Sequence, residues 1–190
     1  GQGNTTNYSS PVQVGALTTW LKVSAGEYTC FAVKTDGTLW SWGYNGLGTL
    51  GQGNTTSYSS PVQVGALTTW DKVEGGKYHS FAVKTDGTLW TWGYNAQGQL
   101  GDGTTTSRNS PVQVGALTTW LNAAAGFYQS VGTTTAGTLY AWGQNSNGEL
   151  GLGDTTSRSS PVQVGSLTTW GTLPKMTGSK FCVTFSTTTT

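Results

Sequence analysis

Ser10-Pro-Val-Gln-Val-Gly15 recurs without change at residues 60–65, 110–115 and 160–165. Each copy is followed by Leu-Thr-Thr-Trp, which ends at Trp20, Trp70, Trp120 and Trp170. A fixed period of this length is typical of a supersecondary unit that stacks on copies of itself, because one unit cannot bury its apolar surface alone. The repeat therefore determines the fold, and function is to be sought where the copies differ.

The composition is unusually poor in charge. Charged residues make up 9% of the 190 residues, and the formal net charge is +1, whereas an ordinary soluble domain has roughly 25%. The nine Lys and Arg residues are scattered, and binding to phosphates needs clustered cations. We therefore expect no nucleic-acid partner. A surface of Thr, Ser, Asn, Gln and Gly suits an assembly component or an extracellular domain.

Neither a membrane span nor a targeting signal is visible. No apolar run approaches the roughly 20 residues that cross a bilayer, and no signal peptide is present. The chain opens in mid-repeat, since residues 1–6 are identical to residues 51–56. We expect a processed or trimmed protein, or a visible fragment of a longer one.

The second copy shows the strand pattern of a repeat. Lys72–Gly76 indicates a short strand, and His79–Lys84 alternates in the period of two that predicts another. Asp86-Gly87 between strand patterns indicates a hairpin. Leu89–Trp92 is the third predicted strand, with both indoles on one face. Pro111–Val114 is the fourth, its proline tolerated at a strand start or an edge.

Four short strands per fifty residues, without helical periodicity, predict an all-β fold, a β-propeller. We expect one repeat domain with blades at about residues 16–65, 66–115 and 116–165, and partial blades at 1–15 and 166–190. Large aromatic side chains bury about 150–250 Å² each, so the tryptophans are expected to pack between blades. They are Trp20, Trp40, Trp42, Trp70, Trp90, Trp92, Trp120, Trp142 and Trp170. A parallel β-helix would need shorter rungs.

Residues 37–51, 87–101 and 137–151 share the string Trp-Gly-x-Asn-x-x-Gly-x-Leu-Gly. This string closely resembles the repeat of the regulator of chromosome condensation, and residues 75–83 look like the second hallmark of that family. Kelch repeats share the period but not the string. The resemblance implies a propeller, with seven blades in the best-known members. Phage and bacterial proteins with this kind of repeat look most similar in character.

The repeat count leaves the ring incomplete. Three full blades fit, and the N-terminal fragment supplies a fourth strand, while the C-terminal fragment supplies a first and a second. Such an arc would expose Trp-rich surfaces at its two ends. Three solutions stay open: a longer propeller, a ring completed by self-association of two chains, or a small distorted four-bladed ring.

The sequence offers no arrangement for catalysis. The single histidine, His79, has Thr29 and Gln129 as its counterparts, and no His, Cys or carboxylate cluster has metal-ligand spacing. We expect no enzyme, no metal and no cofactor. His79 is interpreted as a turn or blade-packing residue that bonds to the backbone. Asp36 and Asp86 stand in Asp-Gly turns, where the side chain caps its own loop.

Two further features are interpreted structurally. The Gly-x-x-Gly-x-Leu-Gly segments lack the helix that would aim amides at a phosphate, so they are predicted to be structural loops. Cys30 and Cys182 occupy equivalent positions in their two copies of the repeat. Equivalent residues of neighbouring blades tend to lie beyond the roughly 7 Å Cα limit of a disulfide, so buried thiols are expected.

Variation among the copies concentrates in two loops. Between the first and second strands, one tyrosine per copy is preceded by a residue of different charge: Glu27-Tyr28, Lys77-Tyr78 and Phe127-Tyr128. After the third strand stand Tyr44, Tyr94 and Gln144. Equivalent turns emerge on one face of a propeller, and tyrosine gives rigid amphipathic contact area. A recognition surface is one interpretation, and drift on tolerant loops is the other.

These observations predict a non-catalytic binding or structural propeller, displayed outside a cell or on a virion appendage, that recognises a protein or a glycan. A secreted protein inhibitor is an alternative, since a bacterial β-lactamase inhibitor also resembles this class of propeller. The resemblance further implies guanine-nucleotide exchange on a small GTPase. That activity would need a full ring and more charge than this chain carries.

Overall fold

Three four-stranded antiparallel sheets, one per full repeat, make up the computed structural model, which describes residues 1–16, 18–171 and 173. The described residues contain no helix. The twelve strands are β1 Trp20–Ala25, β2 Thr29–Lys34, β3 Leu39–Gly43, β4 Tyr58–Gln63, β5 Trp70–Gly75, β6 His79–Lys84, β7 Leu89–Gly93, β8 Arg108–Gln113, β9 Trp120–Ala125, β10 Gln129–Thr134, β11 Leu139–Gly143 and β12 Arg158–Gln163. The predicted all-β propeller is confirmed, with three blades.

Each blade is a simple meander. Its strands lie in sequence order, so that β1-β2-β3-β4 form the first sheet and β5-β6-β7-β8 the second. The first strand β5 contacts β1 on one side and β9 on the other, and β2 contacts β5 as β6 contacts β9. The blades therefore stack side by side with their first strands innermost, and the fourth strands form the outer edges.

The Asp-Gly hairpin is present between β6 and β7. Gly87 N donates to Lys84 O over 3.0 Å, and Asp86 Oδ1 accepts from Thr88 N at 3.0 Å and from Thr88 Oγ1 at 2.6 Å. These bonds from Thr88 hold the pKa of the Asp86 carboxyl below its usual range. Asp86 caps its own turn, and Asp36 does the same with Thr38 in the first blade.

The fourth strand begins earlier than the sequence suggests. β8 starts at Arg108, three residues before Pro111, and pairs only with β7. Proline lacks an N–H and is confined to edges or strand starts. Pro111 is therefore tolerated inside β8 because β8 is the outer edge of its sheet.

The core is built between blades rather than within them. One cluster combines Phe31, Leu50 and Val64 of the first blade with Trp70 and Trp92 of the second. The next cluster repeats this arrangement one blade later, with Phe81, Val114, Trp120 and Trp142. We call the side of a blade that meets the preceding blade its leading flank, and the opposite side its trailing flank.

Tryptophans and phenylalanines interlock at these interfaces. Phe31 and Trp92 meet edge to face with centroids 6.0 Å apart, and Phe81 and Trp142 do so at 5.7 Å. Trp70 contacts both Trp90 and Trp92, as expected for two indoles on one face of β7. Trp70, Trp92, Trp120 and Trp142 are buried, whereas Trp20, Trp40, Trp42, Trp90 and Trp170 are half-buried.

The two ends of the arc differ from its interior. On the leading flank of the first blade, Val23 is 75% exposed and Leu21 is 59% exposed, although the counterpart Val73 packs against the core between blades. On the trailing flank of the third blade, Trp170 and Leu173 cover the apolar cluster. An exposed apolar surface therefore remains on the leading flank of the first blade.

The terminal fragments are less regular than the repeats. Residues 1–16 form no strand, although Pro11–Val14 repeats the fourth-strand pattern. In the full copies that pattern pairs with the third strand of its own blade, and no third-strand pattern precedes it in these 190 residues. Gly3 N still bonds to Ser59 O at 3.0 Å, as Gly53 N does to Asn109 O. The strands expected near the C-terminus, and Cys182, lie outside the described residues. Cys30 is half-buried.

Candidate functional site

Two loops meet at one end of every blade. The loop between the first and second strands carries Tyr28, and the loop after the third strand begins at Tyr44. Tyr44 N donates to Tyr28 O over 2.9 Å, and Tyr94 N donates to Tyr78 O over the same distance. In the third blade Gln144 N bonds to Tyr128 O. This backbone bond places the two most variable loops of each copy side by side.

A glycine makes this close approach possible. Gly43 ends β3 with φ of 112°, a conformation that side chains rarely adopt. A Cβ there would lie 2.3 Å from Tyr28 O. The Trp-Gly-Tyr sequence therefore ends the strand and lets the two loops touch.

The tyrosines predicted to form a surface are brought together. Tyr28 contacts Tyr44, and Tyr78 contacts Tyr94, with ring centroids 6.3 Å apart in both pairs. Across the second interface, Tyr78 stacks on Tyr128 at 5.3 Å. These rings, together with Phe127, Glu27 and Lys77, are called the aromatic face below.

An ion pair joins the first two blades on this face. Lys77 Nζ lies 3.1 Å from Glu27 Oε2, and it lies over the ring of Phe127 at 4.3 Å. The Glu27 carboxylate raises the pKa of the Lys77 ammonium and also that of the Tyr28 phenol. The three variable residues before the tyrosines thus form one chain of contacts: Glu27, Lys77 and Phe127.

A cleft of about 460 Å³ opens on the aromatic face between the first two blades. Its walls are Tyr28, Tyr44, Leu47, Thr49, Lys77 and Tyr78. Tyr28 is 60% exposed and Tyr44 is 52% exposed. Much ring surface on one wall of the cleft is therefore accessible to a ligand.

The second interface is closed where the first is open. Phe127 stands at the repeat position of Lys77 and contacts Tyr78 at 6.1 Å. Tyr128 contacts both Tyr78 and Tyr94. Because these rings touch across the interface, the aromatic face is a continuous surface there, and the cleft belongs to the first interface.

Leu47 and Thr49 line the cleft, although the sequence did not single them out as ligand-binding residues. The signal for Leu47 was present in the repeat. Its counterparts are Gln97 and Asn147, so one copy carries an apolar side chain in a loop that is otherwise polar. Thr49 offered no such signal, since polar residues fill that position in every copy, with Gln99 and Glu149 as the counterparts.

His79 lies away from the aromatic face, in the interface between the second and third blades. It is fully buried, and its Nε2 lies 2.8 Å from Ser130 Oγ. Its partner is thus a serine hydroxyl rather than the backbone that the sequence suggested. Ser130 Oγ donates to Gln99 O, so its hydrogen is in use and His79 Nε2–H is the donor. Burial lowers the pKa of His79 to about 3.

In the described part of the chain, no three His, Cys, Asp or Glu side chains are grouped so as to hold a metal ion. No helix among the described residues is long and apolar enough to cross a membrane.

The blades, their interlocking tryptophans and the loop face define a segment of a β-propeller. The sequence profile described as "Regulator of chromosome condensation (RCC1) repeat" matches residues 36–83, 86–132 and 136–172. A second profile with the same description matches residues 20–49 and 70–99. The chain belongs to the regulator of chromosome condensation repeat family.

Solved structures of other proteins have a similar fold. Prp20p from Saccharomyces cerevisiae is 22% identical, with a TM-score of 0.71 over 80% of this chain and 39% of its own. Human WBSCR16 is also 22% identical, with a TM-score of 0.76 over 86% of this chain and 45% of its own. Yeast RCC1 (Prp20) bound to Kap60 is 22% identical, with a TM-score of 0.70 over 80% of this chain and 38% of its own.

This chain therefore spans less than half of these solved structures. A comparison with curated proteins finds no match in sequence. The similarity to the solved structures concerns the fold. The study of Prp20p describes its binding to Gsp1p and histones, which are partners of that protein.

Proposed function

We propose that this chain is a non-catalytic binding module that recognises a protein or a glycan through its aromatic face. The observation that carries the proposal is the clustering of the variable residues. The loops that differ most between copies meet at one end of the blades. Tyr28 contacts Tyr44, the ring of Tyr78 contacts those of Tyr94, Phe127 and Tyr128, and the Lys77–Glu27 ion pair links the two groups. Tyrosine is enriched in binding surfaces because it offers large contact area with two rotatable bonds.

The chemistry of the face favours binding over catalysis. Its ionisable groups are phenols and one ion pair, Lys77 with Glu27. The single histidine is buried elsewhere and bonded to Ser130. A general base needs to reach a substrate proton at hydrogen-bond distance, and His79 has no exposed atom.

We further propose that additional repeats cover the leading flank of the first blade, in a larger assembly or by self-association. Val23 and Leu21 are exposed there, although the same flank is covered in the second and third blades. Head-to-tail interfaces of this kind close into rings when the rotation per unit permits. Light scattering on the 190-residue chain tests the self-association, and a monomer at all concentrations would contradict it.

The place of action is proposed to be extracellular or on a virion surface. The support is compositional: 9% charged residues and a surface that relies on Thr, Ser and Asn. Immunogold labelling of cells and particles with an antibody to the chain tests this. Label confined to the cytosol would contradict it.

A variant in which Tyr28, Tyr78 and Tyr128 are all changed to Ala tests the binding role. Ligands that the wild type retrieves from a printed glycan array, and from a display library of folded protein domains, are titrated against it. We expect at least a roughly tenfold loss of affinity. The matched control changes Leu67, Leu117 and Leu167 to Ala, since these exposed residues repeat in the same way but lie on other loops. Unaltered binding by the tyrosine variant would overturn the proposal.

Guanine-nucleotide exchange is the second candidate, because the chain belongs to the family of Prp20p, which binds Gsp1p. An exchange assay with a panel of small GTPases tests it. We expect no acceleration, since fewer than half of the relative's residues have counterparts here. A secreted protein inhibitor would use the same aromatic face, and the display library would recover its target.

A further inference from the structure

We propose that the cleft between the first two blades is a binding site for one neutral sugar ring of a glycan. The proposal rests on the binding role of the aromatic face and names the class of ligand. It concerns the six residues that line the cleft and the carboxylate of Glu27 beside them.

The walls suit the faces of a pyranose. A pyranose ring presents C–H groups on its flat faces, which are apolar, and hydroxyl groups around its edge. The cleft offers the rings of Tyr28, Tyr44 and Tyr78 and the side chain of Leu47 as walls. Covering the exposed rings removes apolar surface from water, while each phenol O–H at the rim can still donate or accept a hydrogen bond.

The ion pair suits the hydroxyl groups at the edge. Lys77 has three N–H donors and the Glu27 carboxylate accepts at about four positions, whereas their mutual contact at 3.1 Å uses one of each. A donor and an acceptor side by side match two adjacent hydroxyl groups, since each hydroxyl both donates and accepts. The pair thus offers polar partners at one side of an otherwise apolar cleft.

The same ion pair sets the charge of the ligand. Glu27 neutralises Lys77, so the cleft carries no unpaired charge. A sugar carboxylate would have to compete with Glu27 for the ammonium group and would meet its repulsion. The cleft therefore favours a neutral ring over an acidic one.

The size of the cleft agrees with a small saccharide. Its volume of about 460 Å³ lies in the range of roughly 300–1,000 Å³ found for small-molecule sites. A protein partner would bury about 800 Å² on each side and would need the whole aromatic face, including the closed second interface. Binding that depends only on residues of the first interface would therefore indicate a sugar ligand rather than a protein partner.

The test measures binding of free methyl glycosides to the 190-residue chain by ligand-observed NMR and calorimetry. The probes are a neutral hexoside, an N-acetylhexosaminide and a hexuronide. We expect one of the two neutral probes to bind at one site per chain with a dissociation constant of about 1 mM or tighter. The hexuronide is expected to bind at least roughly tenfold more weakly.

Three variants locate the site. Lys77→Phe copies the residue that stands at this position in the third blade and closes the cleft. Tyr44→Ala removes one wall, and Glu27→Gln keeps the shape but breaks the charge pair. Each is expected to weaken binding of the neutral probe by roughly tenfold or more. Tyr8→Ala is the matched control, because Tyr8 is as exposed as Tyr44 but lies outside the cleft. The affinity of this variant for the neutral probe should equal that of the wild type.

The outcomes separate this inference from the proposed function. If no probe binds, or if the hexuronide binds best, the sugar site is wrong. The same holds if Lys77→Phe and Glu27→Gln both bind like the wild type. A loss of protein ligands in the triple tyrosine variant, without any binding of sugar, would support the binding role of the aromatic face and overturn the sugar site alone.

Discussion

Trp92 Nε1 donates a hydrogen bond of 2.8 Å to the main-chain oxygen of Thr49, which belongs to the preceding blade. Trp142 makes the same bond to Gln99 O at 2.9 Å. Trp92 and Trp142 thus each contribute both an apolar ring and a buried donor to the preceding blade. Trp42 holds this repeat position in the first blade, where the described residues include no preceding sheet.

Changing Trp92 to Phe is expected to lower the free energy of unfolding by about 2–3 kcal/mol. The variant loses a buried hydrogen bond and leaves space beside Phe31. Trp42→Phe is the control, and its loss should stay below about 1 kcal/mol, because the ring is only half-buried. Urea titration measures both. Equal losses would contradict the role assigned to the Trp92 bond.

His79 makes stability depend on pH in a defined window. Its pKa is about 3 in the folded chain and about 6.5 when unfolded. Below pH 6.5 the unfolded state therefore binds a proton that the folded state refuses until about pH 3, so stability falls as the pH falls. At pH 5 the expected loss is about 2 kcal/mol relative to pH 7.5.

His79→Gln tests this prediction with a residue that the third blade already carries at Gln129. The variant should lose the decline between pH 7.5 and 5. Carboxyls whose pKa is lowered, such as Asp86 and Asp102, lose their stabilising effect only below about pH 5, outside this window. Denaturant titrations at several pH values measure the free energy of unfolding of both proteins. The same fall in that free energy between pH 7.5 and 5 in the variant would refute the role of His79.

A lysine between two indoles stabilises each of the first two blades. Lys84 Nζ lies 3.7 Å from the ring centroid of Trp90 and 5.1 Å from that of Trp70, and Lys34 repeats the arrangement. Lys84→Met should lower the free energy of unfolding by about 1 kcal/mol, the value of a partly desolvated cation–π contact. Lys22→Met, which removes an exposed ion pair with Asp71, should cost less than about 0.5 kcal/mol. The reverse order in thermal or urea unfolding would contradict this.

The glycine that ends the third strand is required for the aromatic face. Gly93 has φ of 108°, and a Cβ there would lie 2.6 Å from Tyr78 O. Gly93→Ala should destabilise the chain by more than about 2 kcal/mol and separate Tyr94 from Tyr78. Gly115→Ala is matched in having positive φ, but nothing lies within 4 Å of its added Cβ, so about 1 kcal/mol is expected. Equal effects in unfolding titrations would argue against the contact with Tyr78 O.

Much of the fold follows from local patterns in one repeat. The Asp86-Gly87 turn joins β6 and β7 as predicted, because the turn chemistry acts over four residues. The start of β8 at Arg108 was not predicted, because the residues before Pro111 are polar. Pairing with β7 makes them a strand, and that pairing depends on the neighbour rather than on their own propensity.

The candidate site was predictable in its members but not in its shape. The repeat alone identified Tyr28, Tyr78 and Tyr128 as equivalent and variable. It gave no means of knowing that Tyr78 stacks on Tyr128 while a cleft separates Tyr78 from Tyr44. That difference depends on whether Lys77 or Phe127 fills one position between two blades.

The amino-acid order by itself determined the repeating unit, its strands and turns, and the face on which the variable loops emerge, because these depend on residues close together in the chain. Only the tertiary structure decided which loops of neighbouring blades touch. It also decided where His79 is buried and which apolar flank remains uncovered. Those features depend on how one blade packs on the next, and that geometry arises from contacts between side chains about fifty residues apart.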